Sequence, residues 1–538
     1  MHREGHGTTS LWMDTGRMPQ GDAAMPRPAE PAHESDLDMP SAAAFAPFSL
    51  VNREQPADVV VVGAGIAGMT TAYLLAREGR EVLVVDMGPA GRGQTGRTTA
   101  HLSNAFDDRY YELERMRGAD AARLAADSHT AAIAMIERIA REEGIDCDFR
   151  RVDGYLMLAP ETDPSELEQE LAAAHRAGLA GVARVDDFAL PGGQRGPALR
   201  FPDQGQFHPL KYLEGLRRAI EARGGRLVSG QRVEKVEGGE YATLHLAGGG
   251  SLRATACVVA TNSPFVDKVA IHTKQAPYRT YVVGLRIPGG TVAPTLWWDT
   301  LEEYHYVRLQ PAEDGSGDDI LIVGGEDHKT GEAHDMEERF ARLEAWARER
   351  WPQAGARAYS WSGQVMEPFD GLAFIGRDPA NTANILIATG DSGMGMTHGT
   401  IAGMLLTDLL QGRDNPWAGL YDPDRKMGSN LKTYLRENLD VAKEFVREHL
   451  GGGEVTTESA IAPGCGGVVT HHGKKVAVYR AEDGMVQRVS AVCTHLGCIV
   501  HWNELERCWD CPCHGSQFAT DGSLLNGPAP TPLGRVEG

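Results

Sequence analysis

The spacing of apolar residues along this chain changes in a way that marks out elements before any motif is considered. Residues 58–62 read Asp-Val-Val-Val-Val, short and β-branched enough for a strand buried on both faces. After the glycines of 63–68 the spacing lengthens to a helical pattern through Arg77, and 82–85 is a second apolar run closed by Asp86. Similar buried runs recur at 257–260 and 385–389, the latter leading into a helical pattern that ends near Leu410. Between these, the rhythm becomes that of strands, as at 278–287, 304–309 and 320–323. A helical stretch fills 427–450, Gly451-Gly-Gly-Glu-Val-Thr-Thr-Glu-Ser breaks it, and strand-like segments such as 475–479 follow among glycine turns. Residues 1–50 carry no such rhythm and are rich in Gly, Pro, Ala, Ser and Asp, so we expect a largely irregular leader, with Leu11-Trp12-Met13 as a small apolar anchor.

The first strand, glycine turn, helix and second strand form a dinucleotide fingerprint with its context in register. Gly63 permits the tight turn, Gly65 lets the backbone approach a pyrophosphate, and Gly68 allows close packing of helix on strand. The helix N-terminus then offers unpaired N–H groups to the phosphates, and Asp86 is placed to accept from ribose hydroxyls. Reductases that bind both nicotinamide and flavin normally carry two such fingerprints; a single one favours FAD alone.

Three further segments resemble the D-amino-acid oxidase superfamily, over roughly residues 55–445. They are Asp370-Gly371-Leu-Ala-Phe-Ile-Gly376-Arg377, the turn Gly390-Asp-Ser-Gly393-Met-Gly395-Met396, and Arg97-Thr98-Thr99-Ala-His101 within 91–103. The resemblance implies that Gly376, Gly390, Gly393, Gly395 and Met396 bring backbone close to the flavin, and that Arg97, Thr98 and Thr99 lie between isoalloxazine and pyrophosphate. It also implies FAD-binding parts at about 55–150, 220–265 and 365–412, with an insertion within 150–365 forming a sheet over the flavin. Some amine-oxidising members tether the flavin through a histidine of this loop, which makes His101 a candidate beside its plainer reading as a loop residue.

Near the other end, Cys493-Thr-His495-Leu-Gly-Cys498 and Cys511-Pro-Cys513-His514-Gly-Ser516 supply one Cys and one His from each of two loops. That is the ligand set of a Rieske-type [2Fe–2S] centre, in which two imidazoles replace two thiolates and raise the potential to roughly −150 to +300 mV. A zinc site of Cys493, Cys498, Cys508 and Cys511 is the competing reading, but it gives His495 and His514 nothing to do. The segment 455–538 resembles the Rieske family, more the cytochrome bc-complex branch than the oxygenase branch. The resemblance implies Cys493 and Cys511 on one iron, His495 and His514 on the other, a clamping disulfide between Cys498 and Cys513, and a covering segment Asn526-Gly-Pro528-Ala-Pro530. Where high-potential members carry a Tyr that donates to a ligand sulfur, this chain has Phe518, so a lower potential is expected. Cys508 is expected to be a half-buried thiol, and Cys147, Cys257 and Cys465 buried small hydrophobes.

For the substrate, strand alternation puts Tyr304, Tyr306 and Arg308 on one face. Two phenols beside a guanidinium can grip a carboxylate; a solvated strand edge with amphipathic aromatics is the alternative. Glu326-Asp327-His328-Lys329 reads as a second candidate patch or a loop of exposed charge, and Trp361 and Gln364 complete the candidates.

A net charge of −21 over 538 residues argues against nucleic acid or anionic membrane as a partner and leaves a basic acceptor protein compatible. The absence of any apolar run of about 18 residues argues against a transmembrane segment. The N-terminal residues lack the apolar core of a secretory signal, so a cytoplasmic location is expected. There the disulfide survives only if buried. The whole reads as an α/β protein: a flavoprotein over 51–450, with an FAD-binding Rossmann-like domain and an inserted antiparallel-sheet substrate domain, then a C-terminal all-β Rieske domain at 455–538. The expected function is oxidation of an amine or amino-acid-like small molecule, with electrons leaving singly through the cluster to an external acceptor, protein or quinone-like. An NAD(P)H-type reductase feeding a partner oxygenase, and a redox sensor without turnover, are the alternatives.

Overall fold

The structure is a computed structural model that describes residues 8–16, 56–426 and 455–536, apart from 161, 190–191, 267–270, 302–303, 334, 381–383 and 456. The expected helical stretch 427–450, most of the leader and the boundary near 451 lie outside the described residues.

Five parallel strands form the centre of an eight-stranded sheet, in the order Ile385–Thr389, Ser251–Val259, Ala57–Val62, Val82–Val85 and Arg226–Val228. Phe374–Arg377 adds an antiparallel edge, and the hairpin Val233–Glu237 with Ala242–Leu246 hangs on Ser251–Val259. The unbroken Val59–Val62 run is explained by two cores: Val59 and Val61 point into one, Val60 and Val62 into the other. A strand covered on both faces has no polar alternation to show. Helix Ile66–Arg77 leaves this sheet at the glycine turn and packs along helix Gly395–Leu410, so the starts of both helices come to one end of the sheet.

A nine-stranded sheet stands beside it, running Arg357–Pro368, Gln275–Pro288, Asp318–Lys329, Tyr306–Pro311, Leu296–Asp299, Arg150–Met157, Arg195–Gln206 and His101–Leu102, with Ala183–Ala189 also paired to Arg195–Gln206. All its pairings are antiparallel except Leu296–Asp299 with Arg150–Met157. Helix Met336–Arg350 covers one face through Phe340, Leu343 and Ala347. Two expectations are corrected here. The strand containing Tyr306 begins at Tyr306, leaving Tyr304 outside it, and Glu326–Lys329 is the end of a strand instead of a loop.

The C-terminal region is all-β. Gly466–His471, Lys474–Arg480 and Val486–Ser490 form one antiparallel sheet; His501–Asn503, Cys508–Asp510, Gln517–Phe518 and Leu524–Asn526 form another. Trp509, Val500 and Phe518 are fully buried in their shared core. Among the described residues no helix is long and apolar enough to cross a membrane.

Candidate functional site

A cavity of about 1110 Å³ runs from the glycine turn of the parallel sheet to the nine-stranded sheet. At its nucleotide end Gly63 has φ +108°, and a Cβ there would stand 2.3 Å from the Ala260 carbonyl oxygen. At Gly68 a Cβ would meet the Gly63 oxygen at 1.9 Å, so helix Ile66–Arg77 can start this close to the turn only with glycine. Asp86 sits at the tip of its strand, where Oδ2 accepts from Ala64 N and Oδ1 from Gly88 N, both at 2.7 Å. Burial raises its carboxyl above the usual range against the pull of those amides.

Gly63, Gly65, Asp86, Arg97, Thr98, Thr99, Gly390, Gly393, Gly395 and Met396 all line this cavity. Gly68 and Gly376 do not; the first packs the helix and the second lies within strand Phe374–Arg377. Two helix N-termini and a bare glycine backbone make a cradle of the size and donor chemistry that a dinucleotide pyrophosphate requires. Arg97 is turned another way. Its Nη1 donates to Glu506 Oε1 at 3.0 Å and to the Ser362 carbonyl at 2.9 Å, tying the loop to the C-terminal region. His101 Nε2 lies 3.2 Å from the Val307 carbonyl, which fixes the proton there and leaves Nδ1 to accept from Thr99 Oγ1 at 3.0 Å. Both ring nitrogens are engaged, and burial lowers the imidazole to about 3.

At the far end of the cavity Tyr304 and Tyr306 have ring centroids 5.6 Å apart. Tyr304 donates to Asp107 Oδ2 at 2.6 Å, and Tyr306 shares a 2.6 Å hydrogen bond with Thr280. Arg308 does not join them. It is wholly buried, donates through Nη1 to the carbonyls of Thr99, Ala100 and Phe207 and through Nη2 to Gln310, and lies 5.2 Å from the Trp12 ring. Burial lowers the guanidinium to about 9. The proposed carboxylate clamp is therefore corrected: Arg308 fixes the loop behind the cavity, because strand alternation gives the face of a residue but not what that face packs against.

Asp327, from the second candidate patch, lines the same end, and so do Asp107, Trp298 and Arg279, which sequence reasoning missed. Arg279 is 2% exposed and donates through Nη2 to Asp510 Oδ2 and through Nη1 to Ser362 Oγ, both at 2.8 Å.

In the C-terminal region the loops after Val492 and Asp510 bring two thiols and two imidazoles together. Cys493 and Cys511 are buried with their sulfurs in hydrogen-bonding contact, and the His495 and His514 rings are 4.8 Å apart. His514 Nδ1 is buried without a hydrogen-bond partner, as a ligand atom awaiting iron must be. Cys498 and Cys513 are joined in a disulfide. The zinc alternative fails on the same facts: Cys498 is oxidised, and Cys508 donates to Asp510 with its thiol pushed up by burial. Cys508 is 2% exposed, more buried than expected, and Cys465 is half-buried. The set fits a Rieske cluster.

This cluster-binding edge faces the body. His272 packs edge-on against His495 and His514 at 4.7 and 5.6 Å. Gln364, which lines the cavity, donates from Nε2 to the Gly515 carbonyl at 2.9 Å, accepts from Asn526 Nδ2 at 2.8 Å and takes the Gln94 side-chain oxygen on its backbone N–H at 2.7 Å. Glu506 receives Arg97, Ser362 and Thr8; burial alone would raise it, but Arg97 and Arg279 hold it below the usual carboxylate range. Glu506, Cys508, Gln517 and residues 524–527 form part of the cavity wall.

Comparison with known proteins agrees with both halves. Residues 58–409 match the family described as FAD dependent oxidoreductase, and residues 454–537 match the Rieske [2Fe-2S] domain. A Bacillus subtilis (strain 168) protein, "Putative Rieske 2Fe-2S iron-sulfur protein YhfW", is 31% identical over 510 residues, covering 94% of this chain and 97% of its own. Gamma-glutamylputrescine oxidoreductase of Escherichia coli (strain K12) is 28% identical, covering 71% of this chain and 89% of its own. Among solved structures, glycine oxidase from Geobacillus kaustophilus shares the fold at a TM-score of 0.56 and 18% identity, covering 69% of this chain and all of its own.

Proposed function

Because the chain belongs to the FAD dependent oxidoreductase family and carries a C-terminal Rieske [2Fe-2S] domain, we propose that it oxidises an amine or amino-acid-like small molecule and passes the electrons singly to an external acceptor, a protein or a quinone-like molecule. The observation that carries this reading is Gln364, a cavity-lining side chain hydrogen-bonded to the peptide that follows cluster ligand His514. The similarity to an oxidoreductase named for gamma-glutamylputrescine supports an amine as donor.

When bound, FAD supplies two-electron oxidation of a C–N bond and the cluster supplies one-electron transfer. The chain's own residues do the rest. The N–H groups at the start of helices Ile66–Arg77 and Gly395–Leu410 would hold phosphate and flavin polar edges, and Asp86 would hold the ribose. A primary ammonium on a hydrogen-bearing carbon becomes a protonated imine: the C–H bond and one N–H bond break, the C–N bond becomes double, and a pair of electrons and a pair of protons leave. Asp107, hydrogen-bonded to Tyr304, is the carboxylate positioned to hold a proton at that end. Gln364 and His272 fix the spacing between the two centres and exclude water from the contact. We also place the protein in the cytoplasm, where the Cys498–Cys513 bond is protected by burial, at 3% and 4% exposure.

The test is anaerobic mixing with amines, amino acids and NADH, following flavin bleaching and the Rieske EPR signal in parallel. Bleaching by an amine or amino acid followed by cluster reduction is expected, and Gln364→Leu should slow the second phase roughly tenfold without changing the first. A flavin that bleaches while the cluster never gains an electron sinks the relay.

A further inference from the structure

We propose that the end of the cavity walled by Tyr304, Tyr306, Asp107 and Asp327 recognises an organic ammonium, and that the substrate is an amine without an α-carboxylate. The inference rests on the amine-oxidising reading above and narrows it.

The charges facing this space decide the matter. Four arginines line the cavity: Arg92, Arg97, Arg232 and Arg279. Arg92 and Arg232 stand at the nucleotide end, where Gly91 N meets the Ala64 carbonyl and Gln231 N meets the Asp86 carbonyl, both at 3.0 Å. Arg97 is engaged by Glu506, Thr8 and the Ser362 carbonyl. Arg279 precedes Thr280, the hydrogen-bond partner of Tyr306, and the C-terminal region neutralises it through the buried pair with Asp510; Arg109, behind Asp107, donates to the Asp107 and Asp299 carbonyls and pairs with Glu166. A substrate carboxylate entering here meets two aspartates and no uncommitted guanidinium.

An ammonium meets the opposite environment. Asp107 and Asp327 both act on Tyr304 and Tyr306, raising their phenols well above the usual range after the larger effect of burial. The two rings, inclined at 42°, border the same space. Carboxylates and aromatic rings around one pocket are the recognition chemistry of a substituted ammonium. Trp298 widens the apolar wall, so the group carrying the nitrogen is hydrocarbon.

The experiment titrates the FAD-loaded, full-length protein anaerobically with n-pentylamine, norleucine and pentanoate while recording the flavin spectrum. Pentylamine is norleucine without its carboxylate, so the pair isolates that group. We expect pentylamine to perturb or bleach the flavin with a Kd at least about tenfold below those of norleucine and pentanoate. Asp107→Asn and Asp327→Asn should each raise that Kd roughly 10- to 100-fold, the loss of one charge-assisted contact. FAD retention reports folding, and if Asp107→Asn loses FAD, Asp327→Asn carries the decision. Equal or tighter binding of norleucine or pentanoate overturns the inference. So does an unchanged pentylamine Kd in the folded variants, or no response to pentylamine at all. Reduction by norleucine alone removes this inference and leaves the amine-oxidising reading standing, whereas bleaching by NADH and by none of the three removes that reading itself.

Discussion

At the scale of single residues, Phe518 and Asp107 carry the most information. Ser516 lies within hydrogen-bonding reach of the Cys493 sulfur and accepts from Ala529 N at 3.0 Å, but the fully buried Phe518 has nothing to donate. A hydroxyl restored there would stabilise the more negative, reduced cluster. Phe518→Tyr should therefore raise the potential by on the order of 40 mV, the equivalent of one hydrogen bond, as measured by EPR-monitored redox titration. For Asp107, burial raises the carboxyl, while the Tyr304 hydroxyl and Arg109 oppose that shift. Asp108, Glu367, Asp327 and Tyr306 are further titratable groups around it. An ammonium pairs with the ionised form, so affinity for pentylamine should strengthen as pH climbs through the raised carboxyl value. A titration series between about pH 5 and pH 9 checks this, and Asp107→Asn should flatten it.

At the scale of elements, the N-terminal helix Leu11–Thr15 shows what holds a segment too short to form alone. Ser10 caps it by accepting from Met13 N and also donates to the Gly96 carbonyl. Trp12 is 0% exposed, donates to the Thr98 carbonyl at 2.5 Å and packs on His208 at 4.9 Å. It thus braces the loop that carries Thr98 and Thr99. Trp12→Ala should cost about 3–5 kcal/mol in denaturant unfolding and accelerate FAD release. The apolar Leu11-Trp12-Met13 was legible within a polar leader as an anchor, but its helical form was not, because five residues show no period. Gly324-Gly325 misled for a different reason. The pair looks like a strand terminator, yet a Cβ on Gly324 would lie 2.2 Å from the Tyr306 ring, so this glycine makes room for a cross-strand aromatic and the strand continues to Lys329.

At the scale of the whole molecule, legibility followed locality. The strand, glycine turn and helix at 57–77, and the two ligand loops, are each specified by a few adjacent residues, so both cofactor sites could be read directly. The surface on which the cluster loops rest could not. Gln364 and Gly515 are 151 residues apart, and Arg279 and Asp510 are 231 apart; nothing in either segment announces the other. Arg279→Met should leave Asp510 buried without its counter-charge, destabilising the assembly by about 3–5 kcal/mol. Stopped-flow absorbance should then show cluster reduction lagging further behind flavin reduction.

The C-terminal region does more than offer cluster ligands, since Glu506, Cys508 and Gln517 form part of the boundary of the large chamber. Any displacement that uncovers the imidazole side of the cluster from His272 also unroofs that chamber. A bulky redox partner reaching for His514 and an oxidised product escaping to solvent would consequently need the same door.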